Sequence, residues 1–204
     1  MRPLIVSATE QEIANSIPFL QKNDIPYLIT GVGMVATTYA LTKYLAEHSC
    51  DYLINVGIAG AIDKELSIGH VVEIEKDIFS ELGAQNNHDF IAIDELGFGK
   101  SEFIKITSEK LSTDLPKYTG ITVNTIHGEE NSISNLKIRY PNASIESMEG
   151  AAFFYVAKQL NLPSIQVRAI SNYVEKRNKS TWNIPLSIKN LNHWLITHLQ
   201  KIIN

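Results

Sequence analysis

From Ser147 the chain reads Ser-Met-Glu-Gly-Ala-Ala-Phe-Phe-Tyr-Val-Ala and, after a short turn, Ile-Gln-Val-Arg-Ala-Ile-Ser-Asn-Tyr-Val-Glu-Lys-Arg-Asn to Asn178. This stretch is a carboxylate at a strand-to-helix junction, a helix, a buried strand, and a polar residue at the carboxyl end of that strand. Few folds accept such an order. It points to an open α/β sheet with a small-molecule site beyond the strand ends, where Glu149 and Asn172 stand.

The rest of the chain keeps the alternation. Leu4–Ala8 is too short for a helix and rich enough in β-branched residues for a buried strand. Thr9 and Glu12 follow with capping-box spacing, and Ile13, Ile17 and Leu20 share one face of the helix expected over Ile13–Leu20. Pro26–Thr30 and Tyr52–Val56 are further strands, closed by the glycine turns Gly31-Val-Gly33 and Gly57-Ile-Ala-Gly60, with a helix over Val35–Glu47 between them. Val71–Ile78 has strand character, and residues 79–100, with Asn86-Asn87-His88-Asp89, read as loops able to cover a site. Phe103–Leu115 is expected as a helix, Gly120–Thr125 as a strand, Ile133–Arg139 as a short helix, and Ser144–Ser147 as a strand edge. Gly150–Leu160 is the next helix, Ser164–Ser171 the next strand, and Trp182–Asn204 a terminal helix. Strands alternating with helices imply a mostly parallel sheet wrapped by helices.

The 204 residues suffice for one domain, taken as 1–204, and would be cramped as two. A net charge of −4 leaves no basic footprint for nucleic acid or an anionic membrane. The lone Cys50 excludes an internal disulfide, and no apolar run reaches signal-peptide or transmembrane length, so the expected location is cytoplasmic.

Most familiar chemistries are absent. Gly31-Val-Gly33 lacks the third glycine and the later acid of a dinucleotide fingerprint, so it is either a tight turn or a ligand-contacting one. The histidines at 48, 70, 88, 127, 193 and 198 have no metal spacing, no Gly-x-Ser-x-Gly occurs, and Cys50 reads as a structural thiol. What remains is carboxylates and an amide at strand ends: Glu10, Glu12, Glu149 and Asn172. Taken alone, Glu12 is a helix-capping acid and Glu149 a first-turn acid favoured by the helix dipole.

In order along the chain, Ser7-Ala-Thr-Glu-Gln-Glu12, Gly31-Val-Gly-Met-Val-Ala36, Asn55-Val-Gly-Ile-Ala-Gly60, Ser147-Met-Glu-Gly-Ala-Ala152 and Arg168-Ala-Ile-Ser-Asn172 resemble five motifs of the nucleoside phosphorylase and nucleosidase superfamily. The resemblance is to its hydrolytic branch, which holds methylthioadenosine nucleosidases and futalosine hydrolases. It implies an α/β, three-layer, phosphorylase/hydrolase-like fold with a mixed, largely parallel central sheet flanked by helices. It implies a small-molecule nucleoside substrate, no cofactor and no metal, and a homo-oligomer. Glu12 becomes the base that activates water, Met148 and Glu149 the ribose contacts, and Asn172 the second catalytic residue, which faces the N7 side of the purine and accepts from N7–H as the leaving base gains a proton. Ile58 stands where relatives place a small hydroxyl in the substrate pocket. The glycine turns carry no arginine of the kind that binds phosphate, so water is the expected acceptor.

At 172 the methylthioadenosine enzymes have an aspartic acid, which suits adenine. An amide donates to O6 and suits a 6-oxopurine. Asn172-Tyr-Val-Glu-Lys-Arg177, with Trp182 beyond it, resembles the futalosine-cleaving members, which implies release of hypoxanthine in a menaquinone route. The rival readings are a methylthioadenosine/adenosylhomocysteine nucleosidase and a catalytically silent nucleoside-binding protein. His127, Lys176 and Arg177 are read as surface charge rather than as site residues.

Overall fold

The computed structural model describes residues 2–87, 89–108 and 111–203, with Ile203 described by its backbone alone. His88, Glu109, Lys110 and Asn204, on which parts of the expected loop and helices fall, lie outside the described residues.

Strands β1 (Pro3–Ser7), β2 (Tyr27–Ile29), β3 (Tyr52–Ala61) and β10 (Ser164–Tyr173) lie side by side and parallel, in the order β2-β1-β3-β10. Strands β4 (Val71–Phe79), β8 (Lys117–Thr122) and β9 (Ile145–Ser147) form a second parallel set. This set runs opposite to the first, with β4 antiparallel to β10 and β9 antiparallel to the end of β3. The sheet is therefore mixed and largely parallel, as expected, but it is not open. One edge of β3 carries β1 along Tyr52–Asn55 and β9 at Gly60–Ala61, so β3-β10-β4-β8-β9 closes into a ring. Two ten-residue strands accumulate enough twist to bring the edges together.

Side-chain alternation builds the layers. Leu4, Val6 and Leu53 face one way, onto α3 (Met34–Glu47) and α5 (Gly150–Gln159), where they meet Leu41, Phe153 and Phe154. Ile5, Ile54, Val56 and Val167 face the other way. There they meet Ile13 of α1 (Glu10–Ile13), Leu20 of α2 (Ile17–Lys22) and Leu191, Leu195 and Leu199 of α6 (Ile184–Ile203). A third cluster under α4 (Glu130–Arg139) joins Ile121, Val123, Ile133 and Leu136.

Five expectations of local structure are corrected. The helix over Ile13–Leu20 is two helices, because Pro18 lacks the N–H that a continuous helix needs and instead sits in the first turn of α2. The helix over Phe103–Leu115 is replaced at its start by β7 (Glu102–Ile104), an antiparallel edge strand on β4. There Phe103 packs edge-on between Phe79 and Tyr155, at 5.7 and 5.4 Å between ring centres. Residues 79–100 include a hairpin, β5 (Gly83–Asn86) and β6 (Asp89–Ala92). Gly57–Gly60 is not a turn but the second half of β3, and α6 begins at Ile184, after a 3-10 turn at Lys179–Thr181.

Candidate functional site

β1 delivers its last residue, Ser7, beside α1, and Glu12 turns back over the strand end. Oε2 of Glu12 accepts from Thr9 N (2.9 Å), Thr9 Oγ1 (3.0 Å) and Ser7 Oγ (3.2 Å), while Oε1 accepts from Ile58 N (3.0 Å). The capping contact expected from the spacing is present, and the same carboxylate is also tied to β3. Four donors fix the group in one place and leave lone-pair capacity on Oε1. Ile58 holds Glu12 through its backbone N–H, a contact that does not depend on its side chain.

Gly57 explains why the second glycine segment is a strand. A Cβ there would sit 2.9 Å from Glu12 Oε1 and 3.6 Å from Arg168 Nη1, so only glycine lets the carboxylate and the guanidinium meet the backbone of β3. Arg168, on β10, is 1% exposed and donates to Val167 O at 3.1 Å. Burial pulls its pKa down, and the charges of Glu149, Asp77 and Glu12 pull it back up. A fully desolvated cation is tolerated because the charges of three carboxylates reach it.

Glu149 comes off the end of β9, which runs opposite to β3, and so approaches from the other direction. Its Oε1 accepts from Gly33 N at 2.9 Å. Gly31 and Gly33 have φ of +84° and +95°, the left-handed values that turn the chain and aim this N–H. The Gly-x-Gly is thus a tight turn that also grips the Glu149 carboxylate. Burial raises the Glu149 pKa, while Arg168 and the Gly33 N–H hold it down. Met148, partly exposed, lies one residue before it. Behind the site, buried Asp77 accepts from Gln166 (2.7 Å) and Thr122 (2.8 Å), and burial raises its pKa to about 6.

Asn172 lies past a bulge in β10, opposite Gly60 of β3. Its Oδ1 accepts from Ser171 Oγ (2.8 Å) and its Nδ2 donates to Tyr173 O (3.0 Å), leaving one amide proton free. A Cβ on Gly60 would be 3.2 Å from that Nδ2. Gly57 and Gly60 are three residues apart on one strand, about 10 Å. Asn172 lines a small cavity of about 50 Å³ with Gly60, Tyr173, Trp182, His127 and Glu146. Glu146 is 4% exposed and accepts from the His127 backbone N–H (2.9 Å) and from its Nδ1. That partnership raises the His127 pKa.

The structure thus joins Glu12 to the Ile58 N–H, sets Arg168 across from Gly57 within reach of the charges of Glu12 and Glu149, and places Asn172 opposite Gly60, three residues further along β3. Sequence reasoning passed over Arg168 because it looked for arginines inside the glycine segments, whereas this one arrives from a neighbouring strand. It set His127 aside as surface charge, although the ring faces the cavity of Asn172. Lys176 and Arg177 are exposed, as expected of surface charge. Burial raises the Cys50 thiol pKa, which suits a structural role. Among the described residues, no three His, Cys, Asp or Glu side chains are grouped to hold a metal, and no helix is long and apolar enough to cross a membrane.

Residues 19–202 match the family model described as the phosphorylase superfamily. A futalosine hydrolase from Acidothermus cellulolyticus is 31% identical over 176 residues, covering 81% of this chain and 71% of that protein. A 5'-methylthioadenosine/S-adenosylhomocysteine nucleosidase from Colwellia psychrerythraea is 25% identical, covering 80% and 72%. The native structure of futalosine hydrolase from Helicobacter pylori superposes with a TM-score of 0.81 over 98% of each chain, at an identity of 16% that speaks for the fold. With this ring of strands and these carboxylates, the chain belongs to the phosphorylase superfamily and is an N-glycosyl hydrolase.

Proposed function

We propose that the chain, acting as one catalytic domain in the cytoplasm, hydrolyses the N-glycosidic bond of futalosine and releases hypoxanthine, in a menaquinone route. The observation that carries the reading is Asn172: it lines a cavity and its Nδ2 has a second proton to donate, and a donor there matches O6 of a 6-oxopurine and opposes the 6-amino group of adenine. Glu149 accepts from the ribose hydroxyls, Met148 lies against the sugar, and Glu12 takes a proton from water as it adds to the anomeric carbon. Ile58 keeps Glu12 in place through its N–H and presents its side chain where a hydroxyl would otherwise meet substrate. Water is the acceptor because the glycine segments carry no arginine to bind phosphate, and Arg168 on the neighbouring strand is buried with its charge opposed by those of Glu149, Asp77 and Glu12.

The substrate's benzoate-bearing extension has a matching surface. A groove of about 770 Å³ starts at Met34, next to Gly33, and runs past Phe79, Leu82 and Tyr155, with Lys43 as its cation. Val35 and Tyr39 beside it are 78% and 68% exposed, an apolar face that a second copy of the chain would cover in a homo-oligomer. The test is to incubate the protein with futalosine, inosine and methylthioadenosine, resolving free bases by chromatography and measuring the mass in solution. Hypoxanthine from futalosine alone is the expected result. Adenine release would replace the reading with a methylthioadenosine nucleosidase, and binding without release would make the chain a nucleoside-binding protein.

A further inference from the structure

The proposed reaction leaves one demand unmet. When the C1'–N9 bond breaks, its electron pair goes to the purine, which departs as an anion unless a ring nitrogen gains a proton. Asn172 cannot supply one, because an amide donates hydrogen bonds but is not an acid at neutral pH. Its Oδ1 is already engaged by Ser171 and one Nδ2 proton by Tyr173 O. The other titratable groups of the same cavity are His127, Glu146, Glu175 and the phenol of Tyr173, whose ring lies under Lys64 Nζ, with the permanent cation Arg177 beside them.

We infer that His127, oriented by Glu146, is the acid that protonates the departing purine. The inference rests on the nucleoside-hydrolase reading and adds a residue to it. The geometry is that of a carboxylate–imidazole pair. Glu146 grips the loop through the His127 backbone N–H and the ring through Nδ1, which leaves Nε2 to carry the working proton into the cavity that Asn172 lines. Nε2–H passes its proton to N7 as the C1'–N9 pair moves into the ring, while the free Nδ2 proton of Asn172 binds O6. On the other face, water adds to C1' and yields its proton to Glu12. The products are the free sugar and a neutral purine. Solvent then returns a proton to His127, whose side chain is 18% exposed, and takes one from Glu12.

The surroundings favour the charged imidazole. Glu146 from β9 and Glu81 from the β4–β5 connection raise its pKa, opposed by burial and by Arg139 of α4. Raising the pKa of a histidine keeps its acid form present to higher pH, so activity falls on the alkaline side only above the ordinary histidine range.

The experiment measures kcat and kcat/KM against pH for wild type, His127→Gln and Glu146→Gln, on whichever purine nucleoside the wild type cleaves. His127→Gln is expected to lower kcat by about 10²- to 10⁴-fold and abolish the alkaline limb, with KM nearly unchanged. Glu146→Gln is expected to keep the limb but move it to lower pH. A kcat within about threefold of wild type, or an alkaline limb that survives in His127→Gln, overturns the inference. If His127→Gln does not fold, Glu146→Gln decides alone: a limb shifted down supports the acid, and an unmoved one overturns it. A wild type that cleaves methylthioadenosine would refute the 6-oxopurine reading and leave the acid to be judged on adenine release. A wild type that cleaves no nucleoside removes both.

Discussion

The two ends of the site are built by different means. At the proposed sugar end three of the five donors to the carboxylates are backbone N–H groups: those of Thr9 and Ile58 hold Glu12, which also accepts from the Thr9 and Ser7 hydroxyls, and that of Gly33 holds Glu149. At the proposed purine end, among the described residues, no backbone N–H holds the Asn172 or the His127 side chain. Ser171 bonds Asn172, and Glu146 bonds the His127 ring. Backbone donors cannot be replaced by point substitution, so hydrolysis is anchored in the fold. Side-chain partners can be exchanged one at a time, so the identity of the base is adjustable without disturbing the reaction.

The severest challenge to that contrast is to remove the chemistry at the anchored end while keeping the shape. Glu12→Gln is expected to reduce kcat by about 10²- to 10⁴-fold with nucleoside affinity nearly unchanged, as for loss of a general base. One Gln oxygen can still accept from Ile58 or from Thr9, but its NH2 then faces a donor. A stability loss of about 1–3 kcal/mol should therefore accompany the lost turnover, read by denaturant unfolding. Turnover close to wild type would remove Glu12 from the mechanism and leave it as a helix cap.

A gentler comparison adds one methyl group at each end. Gly57→Ala brings a Cβ to 2.9 Å from Oε1 of a carboxylate whose two oxygens together accept from four donors, so Glu12 must move and kcat should fall about 10- to 100-fold, as expected when a reacting group is displaced by a fraction of an ångström. Gly60→Ala brings its Cβ to 3.0 Å from Val174 Cγ2 and 3.2 Å from Asn172 Nδ2, both ends of side chains that can yield by a few tenths of an ångström. There kcat should stay within about threefold, with the change appearing in KM. Equal losses from the two substitutions would show that both ends are equally rigid.

The same contrast accounts for what the sequence disclosed. The Thr9–Glu12 contact is local, encoded in four adjacent residues, and it was readable. So was the Gly31-x-Gly33 turn, although not that its N–H is directed at a residue 116 positions away. Gly57 and Gly60 looked like turn residues because glycine in a strand carries the same letter as glycine in a turn. Only the neighbours of the missing Cβ distinguish the two. The strand at Glu102–Ile104 was hidden because its β-branched and aromatic residues fit a helix of the same length, and the free edge of β4 decided the matter. Closure of the sheet, the entry of Arg168 from β10, and the meeting of His127 with Glu146 all depend on pairings between distant segments, which no local pattern records.

The smallest expected effect is also the most specific to the adjustable end. In Asn172→Asp, one oxygen can keep the hydrogen bond from Ser171, but the other replaces the amide that donates to Tyr173 O. Two acceptors cannot share that contact unless the new carboxyl is protonated or turns into the cavity. In either form the donor matched to O6 is lost, and a carbonyl that can accept from a 6-amino group is gained. The ratio of kcat/KM for hypoxanthine release to that for adenine release should shift toward adenine by about tenfold, which is one hydrogen bond, about 1.4 kcal/mol. Because His127 still supplies the proton, kcat on the better substrate should change little. If Asn172→Asp instead raises kcat for both bases, the new carboxyl is acting as the acid, and the division of labour between His127 and residue 172 is wrong.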